Sequence, residues 1–209
     1  MTSRHLWPEW VVVALLVVLV LVGLPSACVA ETVSKTETVA SSWSLLGRYS
    51  SSDNLGYDDH GIGLALWRDH CGEKLCLRSE AVATTASKAD GSSSYAGIVT
   101  IEERFKLGDE WWIGAASRWN WRNDGEGWSY QFMVGAGWSD ETEEGHGQAI
   151  HVRILFPDST QYGTNGYEVR WSSLYPKWIV AIEYKHVAYE ILGQRSWGKR
   201  VSLLAGIRR

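Results

Sequence analysis

His186 is the residue of this sequence whose type and position best suit chemistry. It follows Glu-Tyr-Lys at 183–185, and period-two alternation places it on the apolar face of a predicted strand over 177–189, near one end of that strand. An imidazole there is suited to act as a general base, but it needs a nucleophile within hydrogen-bond reach. The alternative is a structural histidine that lies among interfacial aromatic residues. His186 is therefore the candidate catalytic residue, and both interpretations stay open.

Cys71 and Cys76 are the second feature with chemical potential. They flank residues 72–75 between two predicted strands, and in an exported protein such a pair predicts a disulfide across a hairpin. A metal site that adds His70 would lack a fourth ligand and the usual Cys-x-x-Cys spacing, so we predict no metal site. The sequence contains neither a glycine-rich phosphate loop nor a nucleophile elbow, and we predict no cofactor.

The N-terminal residues have the composition of an export signal. Arg4 precedes an apolar run over residues 11–24, which is shorter than the ~20 residues that a membrane-spanning helix needs. Cys28 and Ala30 then provide a small-x-small cleavage site. We predict a cleaved signal peptide at 1–30, a flexible lead-in at 31–42 and a barrel domain at 43–209. Lipid attachment at Cys28 and an uncleaved anchor stay as alternatives.

Residues 111–138 contain the clearest strand pattern in the chain. Apolar and aromatic residues alternate strictly with small and polar ones, which is the period of a strand and not of a helix. The apolar face begins and ends in aromatic residues, as expected of strands that cross a bilayer with an aromatic girdle at each interface. The predicted girdle residues are Trp111, Trp121, Trp128, Trp138 and Trp178.

The same alternation recurs along the chain and predicts an all-β, up-and-down antiparallel transmembrane barrel of ten strands. The candidate strands lie at 43–50, 60–69, 74–85, 95–105, 110–121, 127–138, 147–156, 165–174, 177–189 and 197–208. Longer polar connections are expected on the outer side, near 51–59, 86–94, 157–164 and 190–196. The acidic connection at 140–144 is long where a short turn is expected, so an eight-stranded barrel stays open.

The minor face of these strands indicates what fills the barrel. It combines Arg with Gly and Ala instead of the Lys, Glu, Asp and Thr of a water-facing sheet, which is typical of a crowded lumen. Buried charges are tolerated only when they are paired and hydrogen-bonded. The residues predicted to form a lumen charge network are Arg48, Arg78, Glu80, Glu102, Arg118, Arg153, Glu168, Arg170, Glu183, Lys185 and Arg200.

The segment around His186 resembles the lipid A 3-O-deacylase family over about thirty residues near the C-terminus. The resemblance implies a nucleophilic Ser two residues after the His and an orienting Glu on the last strand. Those positions hold Ala188 and, on the last strand, Lys199 and Arg200. The resemblance therefore implies a small barrel in contact with outer-leaflet lipid, without the hydrolase reaction, because an unpartnered His has no nucleophile to activate.

Bulk composition supports this location and limits the function classes. The formal net charge of −4 excludes a strongly basic nucleic-acid binder, and 13 Trp suit a membrane interface. We predict a non-enzymatic bacterial outer-membrane barrel with a plugged polar lumen, whose partners are outer-membrane lipids and either lipopolysaccharide or an extracellular partner. The alternatives are an outer-leaflet lipid-modifying enzyme and a soluble periplasmic ligand-binding barrel. Arg208 and Arg209 stand where outer-membrane barrels usually have an aromatic residue, which favours the soluble alternative.

Overall fold

A computed structural model describes residues 40–54, 57–87, 93–123, 127–157, 165–191 and 194–209. The predicted signal peptide and residues 31–39 of the predicted lead-in lie outside these residues. Among the residues that are described, no helix is long and apolar enough to cross a membrane. The strands are β1 (Ala40–Asn54), β2 (Tyr57–Cys71), β3 (Leu75–Ser87), β4 (Ser93–Lys106), β5 (Trp111–Arg122), β6 (Gly127–Ser139), β7 (Gly147–Leu155), β8 (Asn165–Leu174), β9 (Trp178–Ile191) and β10 (Gln194–Arg208).

The ten strands close into one antiparallel barrel. Each strand pairs with its neighbours in sequence, and β1 pairs with β10 to complete the wall. The prediction of an up-and-down all-β barrel is confirmed, with ten strands and not eight. β1 begins at Ala40 instead of residue 43, because its first residues pair with the end of β2 as far as Cys71.

The strand register fixes the shape of the barrel. A path of directly paired residues starts at Ser42 and crosses each strand in turn. It returns to β1 at Asn54, twelve residues further along the strand. With ordinary strand spacings, ten strands and this stagger give a tilt of about 40° and a backbone radius of about 10 Å. Side chains alone can fill an interior of that width.

The outer face of the barrel wall is apolar and the inner face is polar, which is the reverse of a water-soluble barrel. Large apolar side chains point outward and are exposed, among them Ile62, Phe132 and Trp178. The buried inward positions include many charged and polar groups, such as Arg153 and Glu102. This arrangement follows from the alternation in each strand, because successive side chains point to opposite faces of a sheet.

The connections lie at two ends of the barrel. The termini end carries residues 40 and 209 and the connections 72–74, 107–110, 140–146 and 175–177, whereas the opposite end, called the loop end, carries the strand ends at 54 and 57, 87 and 93, 122 and 127, 155 and 165, and 191 and 194. The expectation of long loops near 51–59 and 190–196 is wrong, because β1 and β2 are paired as far as residues 54 and 57, and β9 and β10 as far as residues 191 and 194. The acidic connection is a turn, closed by a backbone hydrogen bond from Thr142 N to His146 O of 2.7 Å.

Candidate functional site

Arg153, on β7, lies at the centre of the charged lumen. Its guanidinium donates five hydrogen bonds of 2.8–3.2 Å to the carboxylates of Glu80, Glu102 and Glu168. These three carboxylates come from β3, β4 and β8. The Arg153 residue is 1% exposed, so it is fully desolvated and its charge is balanced only by protein groups.

Three further arginines complete the pairing of these acids and of Glu183. Arg170 donates to Glu80 at 2.6 Å and to Glu183 at 2.7 Å. Arg48 donates to the other oxygen of Glu183 at 2.7 Å, and Arg118 donates to Glu168 at 2.9 Å. The predicted network residues other than Lys185 and Arg200 are therefore brought together across the barrel, and each of the four buried glutamates has at least two cationic partners or neighbours.

Toward the termini end the network continues through the predicted Arg78 and through three residues that the sequence interpretation did not select. Arg104 donates to Glu102 at 2.7 Å and stacks on Trp112, with its Cζ 4.1 Å from the ring centroid. His151 lies 3.1 Å from Glu102. Arg78 forms a two-bond pair with Asp69, at 2.6 and 2.7 Å. Arg104 could have been predicted from the sequence, because it follows Glu102 by two residues on β4 and residues i and i+2 of a strand share a face.

Apolar side chains fill the remaining interior beside the charges. Two clusters of buried residues occupy it, one of Leu46, Ala65, Trp67, Val82, Ile179, Ala181 and Leu204, and one of Ala116, Met133, Leu155 and Val187. Arg153, Leu46 and Leu204 are at most 1% exposed. In the part of the chain that the structure describes, these buried apolar side chains therefore pack beside the charged groups in the middle of the lumen.

Lys185 and Arg200 lie in the lumen nearer the loop end. Lys185 is directly paired with Glu168 on β8 and with Arg200 on β10. Both residues are partly exposed, in contrast to Arg153. They are thus on the predicted lumen side of the wall but above the closed central network.

His186 lies on the outer face of β9 within an aromatic cluster. Its ring stacks on Tyr167 at 5.4 Å, meets Trp197 edge-on at 4.7 Å, and places Nδ1 3.3 Å from the Tyr184 hydroxyl. Lys199 stands directly across from His186 on β10. A cation at that position cannot orient an imidazolium as a carboxylate does, so Lys199 does not supply the orienting group that the deacylase resemblance requires.

The predicted girdle tryptophans all occupy outward positions near the strand ends. Trp111 and Trp178 are 59% and 60% exposed at the termini end, and Trp128 is 67% exposed at the loop end. Trp111 pairs directly with Trp138, and Trp121 pairs directly with Trp128. Aromatic side chains therefore border the outer apolar surface at both ends of the β5–β6 hairpin.

Cys71 and Cys76 form a disulfide between directly paired residues of β2 and β3. The bond links the two strands immediately beside the turn at 72–74. In the part of the chain that the structure describes, no group of three or more His, Cys, Asp or Glu could hold a metal ion.

Together these features define a class of protein: a closed ten-stranded up-and-down barrel with an apolar exterior and a charge-filled interior. No protein-family model matches the chain, and no curated protein matches it. One similar solved structure is a bacterial polysaccharide outer membrane secretin, with 7% identity and a TM-score of 0.39; the similarity covers 81% of this chain and 98% of that chain. Another is the translocator domain of the autotransporter NalP from Neisseria meningitidis, with 10% identity and a TM-score of 0.39 over 93% and 96%. The KdgM porin in complex with disordered oligogalacturonate has 8% identity and a TM-score of 0.38 over 80% and 98%. Similarities at this distance assign no activity or substrate.

Proposed function

We propose that this chain is a small bacterial outer-membrane barrel with a closed lumen, and that its role is structural or interactive instead of enzymatic or conductive. The observation that carries the proposal is the inverted polarity of the wall. A water-soluble barrel would bury its apolar face, whereas this barrel exposes it.

The exposed surface is too apolar for an aqueous compartment. Monomeric soluble proteins rarely expose contiguous apolar patches beyond roughly 300–600 Å², whereas here exposed Leu64, Ile113, Ile154, Ile182 and Leu203 are distributed around the wall. Transmembrane barrels present such a band, about 25 Å tall and bordered by aromatic residues. A soluble periplasmic barrel is therefore disfavoured.

The closed lumen supports a role other than passage of solutes. Arg153 and its acidic partners occupy the barrel axis region, and Leu46 and Leu204 close the space beside them. Opening a path would require breaking several buried ion pairs, each of which costs several kcal/mol when one partner is left alone. The lumen is suited to rigidify the barrel.

Contact with phosphorylated outer-leaflet lipid is supported by the cluster around His186. Trp197 is 52% exposed, and exposed Lys199 lies on the same outer face of β10, two residues further along the strand. Aromatic rings favour the bilayer interface, and a cation there attracts anionic headgroups. Lipopolysaccharide, an anionic lipid, is the proposed lipid partner.

Membrane partitioning tests the location. The exported protein should remain in the membrane fraction after washing with plain buffer, dissolve in detergent, and migrate differently on gels before and after boiling. Reconstituted into lipid vesicles, it should raise ion conductance no more than vesicles without protein. Extraction by plain buffer would refute the membrane assignment, and steady open-channel currents would refute the closed lumen.

Matched aromatic variants test the lipid contact. Trp197→Ala combined with Lys199→Ala should weaken retention of lipopolysaccharide by the purified barrel, whereas Trp119→Ala should not, because Trp119 is likewise exposed on the outer wall but contacts Tyr130 instead of the His186 cluster. Equal retention by both variants would contradict the proposed contact. If expression removed an acyl chain from lipid A and His186→Ala abolished that removal, the non-enzymatic role would be wrong.

A further inference from the structure

The buried interior of the barrel contains one more arginine than it contains carboxylates. Among the described side chains that are at most 9% exposed, the ionic groups are four glutamates and five arginines: Glu80, Glu102, Glu168, Glu183, Arg48, Arg104, Arg118, Arg153 and Arg170. Asp69 and Arg78 are more exposed and form a two-bond pair with each other, so they do not change the difference. A protonated His151 would only enlarge it. Because a buried charge is costly unless it is paired, this interior requires one more negative charge.

Arg48, on β1, is the buried arginine with the least complete set of partners. Its two recorded hydrogen bonds both start from Nη2, one to Glu183 at 2.7 Å and one to Ser202 at 2.8 Å. Its side chain is 7% exposed, yet its Nε is buried and has no hydrogen-bond partner. Arg153 and Arg170, by contrast, donate five and four hydrogen bonds to carboxylates. The missing negative charge is therefore best placed beside Arg48.

The acceptor that Arg48 requires must satisfy an N–H group and also compensate a charge. Glu183 gives one oxygen to Arg48 and the other to Arg170, so it neutralises only one of these two cations. A water molecule would accept from Nε but would leave the excess charge in place. Ser202 is 1% exposed, and because its oxygen accepts from Arg48, its own O–H remains a donor beside the guanidinium. These donors are suited to an anion.

We propose that the lumen binds one small monovalent inorganic anion, such as chloride, against Nε of Arg48. A spherical ion of this size accepts from N–H and O–H groups without needing a fixed orientation of its own. With the anion included, five negative charges face the five buried arginines, and the interior is neutral. The ion is then part of the folded barrel: it binds when the barrel folds and leaves when the barrel unfolds.

The dependence of stability on chloride tests the proposal. Unfolding by urea in detergent is measured at constant ionic strength, with chloride or with isethionate, a sulfonate too bulky for a buried site. Chloride at ten times Kd should lower the unfolding equilibrium constant about elevenfold relative to isethionate. Arg48→Met should abolish this difference, because it removes both the excess charge and the Nε–H. The matched control is Arg208→Met, which should keep the difference: one Arg208 nitrogen also lacks a partner, but that side chain is 17% exposed and pairs with Glu141 at the termini end.

Anomalous diffraction from crystals grown in bromide locates the ion in the unaltered protein, so this result does not depend on the folding of a variant. We expect a bromide peak within hydrogen-bond distance of Arg48 Nε. The proposal would be overturned by a water molecule there that bromide does not replace, by equal stability in chloride and isethionate, or by the same loss of the chloride effect in Arg48→Met and Arg208→Met. None of these results would affect the proposed membrane location, because partitioning depends on the outer face.

Discussion

Replacing Arg153 tests whether the lumen network holds the barrel together. Arg153→Met retains most of the side-chain length but removes the cation that links three carboxylates. We expect unfolding free energy to fall by about 3–5 kcal/mol, the range for breaking a buried ion pair by removing one partner. This is a large fraction of the total stability of an ordinary domain, about 5–15 kcal/mol.

The structure explains why the expected loss is neither larger nor smaller. Five charged hydrogen bonds at roughly 1.5–3 kcal/mol each would suggest more than 7 kcal/mol. However, the three acids keep other donors: Glu80 keeps Arg170 at 2.6 Å, and Glu168 keeps Arg118 at 2.9 Å. Removing the cation also removes its own desolvation cost. The expected loss of unfolding free energy therefore comes from the one buried negative charge that Arg153→Met leaves without a compensating cation.

Urea unfolding in detergent, followed by tryptophan fluorescence, measures the change. The matched control is Arg208→Met, which removes the solvent-accessible pair with Glu141 and should cost about 0–1 kcal/mol. The double variant Arg153→Met with Glu102→Gln should cost less than the sum of its single changes by about 1–3 kcal/mol, since it restores charge balance. Additive single costs, or an Arg153→Met loss no greater than that of Arg208→Met, would refute this reasoning.

Three other perturbations test the outer face, the lumen packing and the hairpin. Ile182→Arg places a cation on the exposed apolar band of β9 and should lower the free energy of unfolding by about 2–4 kcal/mol. The control Tyr175→Arg, in the turn, should lower it by about 0–1 kcal/mol, and equal losses in the same unfolding assay would contradict a lipid-facing band. Gly137→Ala puts a Cβ into the ring of Trp112 and should lower the melting temperature. Gly47→Ala should not lower it, because its Cβ would meet its nearest neighbour at 3.8 Å. An unchanged melting temperature for Gly137→Ala would show that the Trp112 ring can move freely. Reduction of the disulfide opens a loop of six residues and should cost about 2 kcal/mol, and an unchanged urea midpoint after reduction would contradict that.

The strands and their two faces could be predicted from sequence because the signal is local. Alternation over a few residues, as at 111–122, specifies both the strand and the side that each residue faces. The class of residue on each face then indicates the solvent. This reasoning placed Arg118 and Glu168 inside and Trp128 outside without knowledge of any pairing partner.

The partners within the lumen could not be predicted in the same way. Arg153 and Glu80 are separated by 73 residues and lie on strands that are not adjacent. Whether they meet depends on the stagger of the closed barrel, which no single strand encodes. The involvement of His151 with Glu102 and of Trp112 with Arg104 was missed for the same reason. Loop lengths were misjudged because serine-rich and aspartate-rich segments form strands when a neighbour pairs with them.

The central arginine also constrains how the wall can close. Its carboxylate partners stand on β3, β4 and β8, and its own strand is β7. A shift of one strand by two residues preserves the inward and outward faces but moves a side chain by about 6.6 Å. Such a shift breaks every hydrogen bond of Arg153 to that strand, since hydrogen bonds extend only to ~3.2 Å. In the proposed membrane location the apolar outer band would tolerate this shift, because lipid does not distinguish one exposed aliphatic residue from the next. The register of the barrel is thus specified mainly from inside, by groups that also close the lumen.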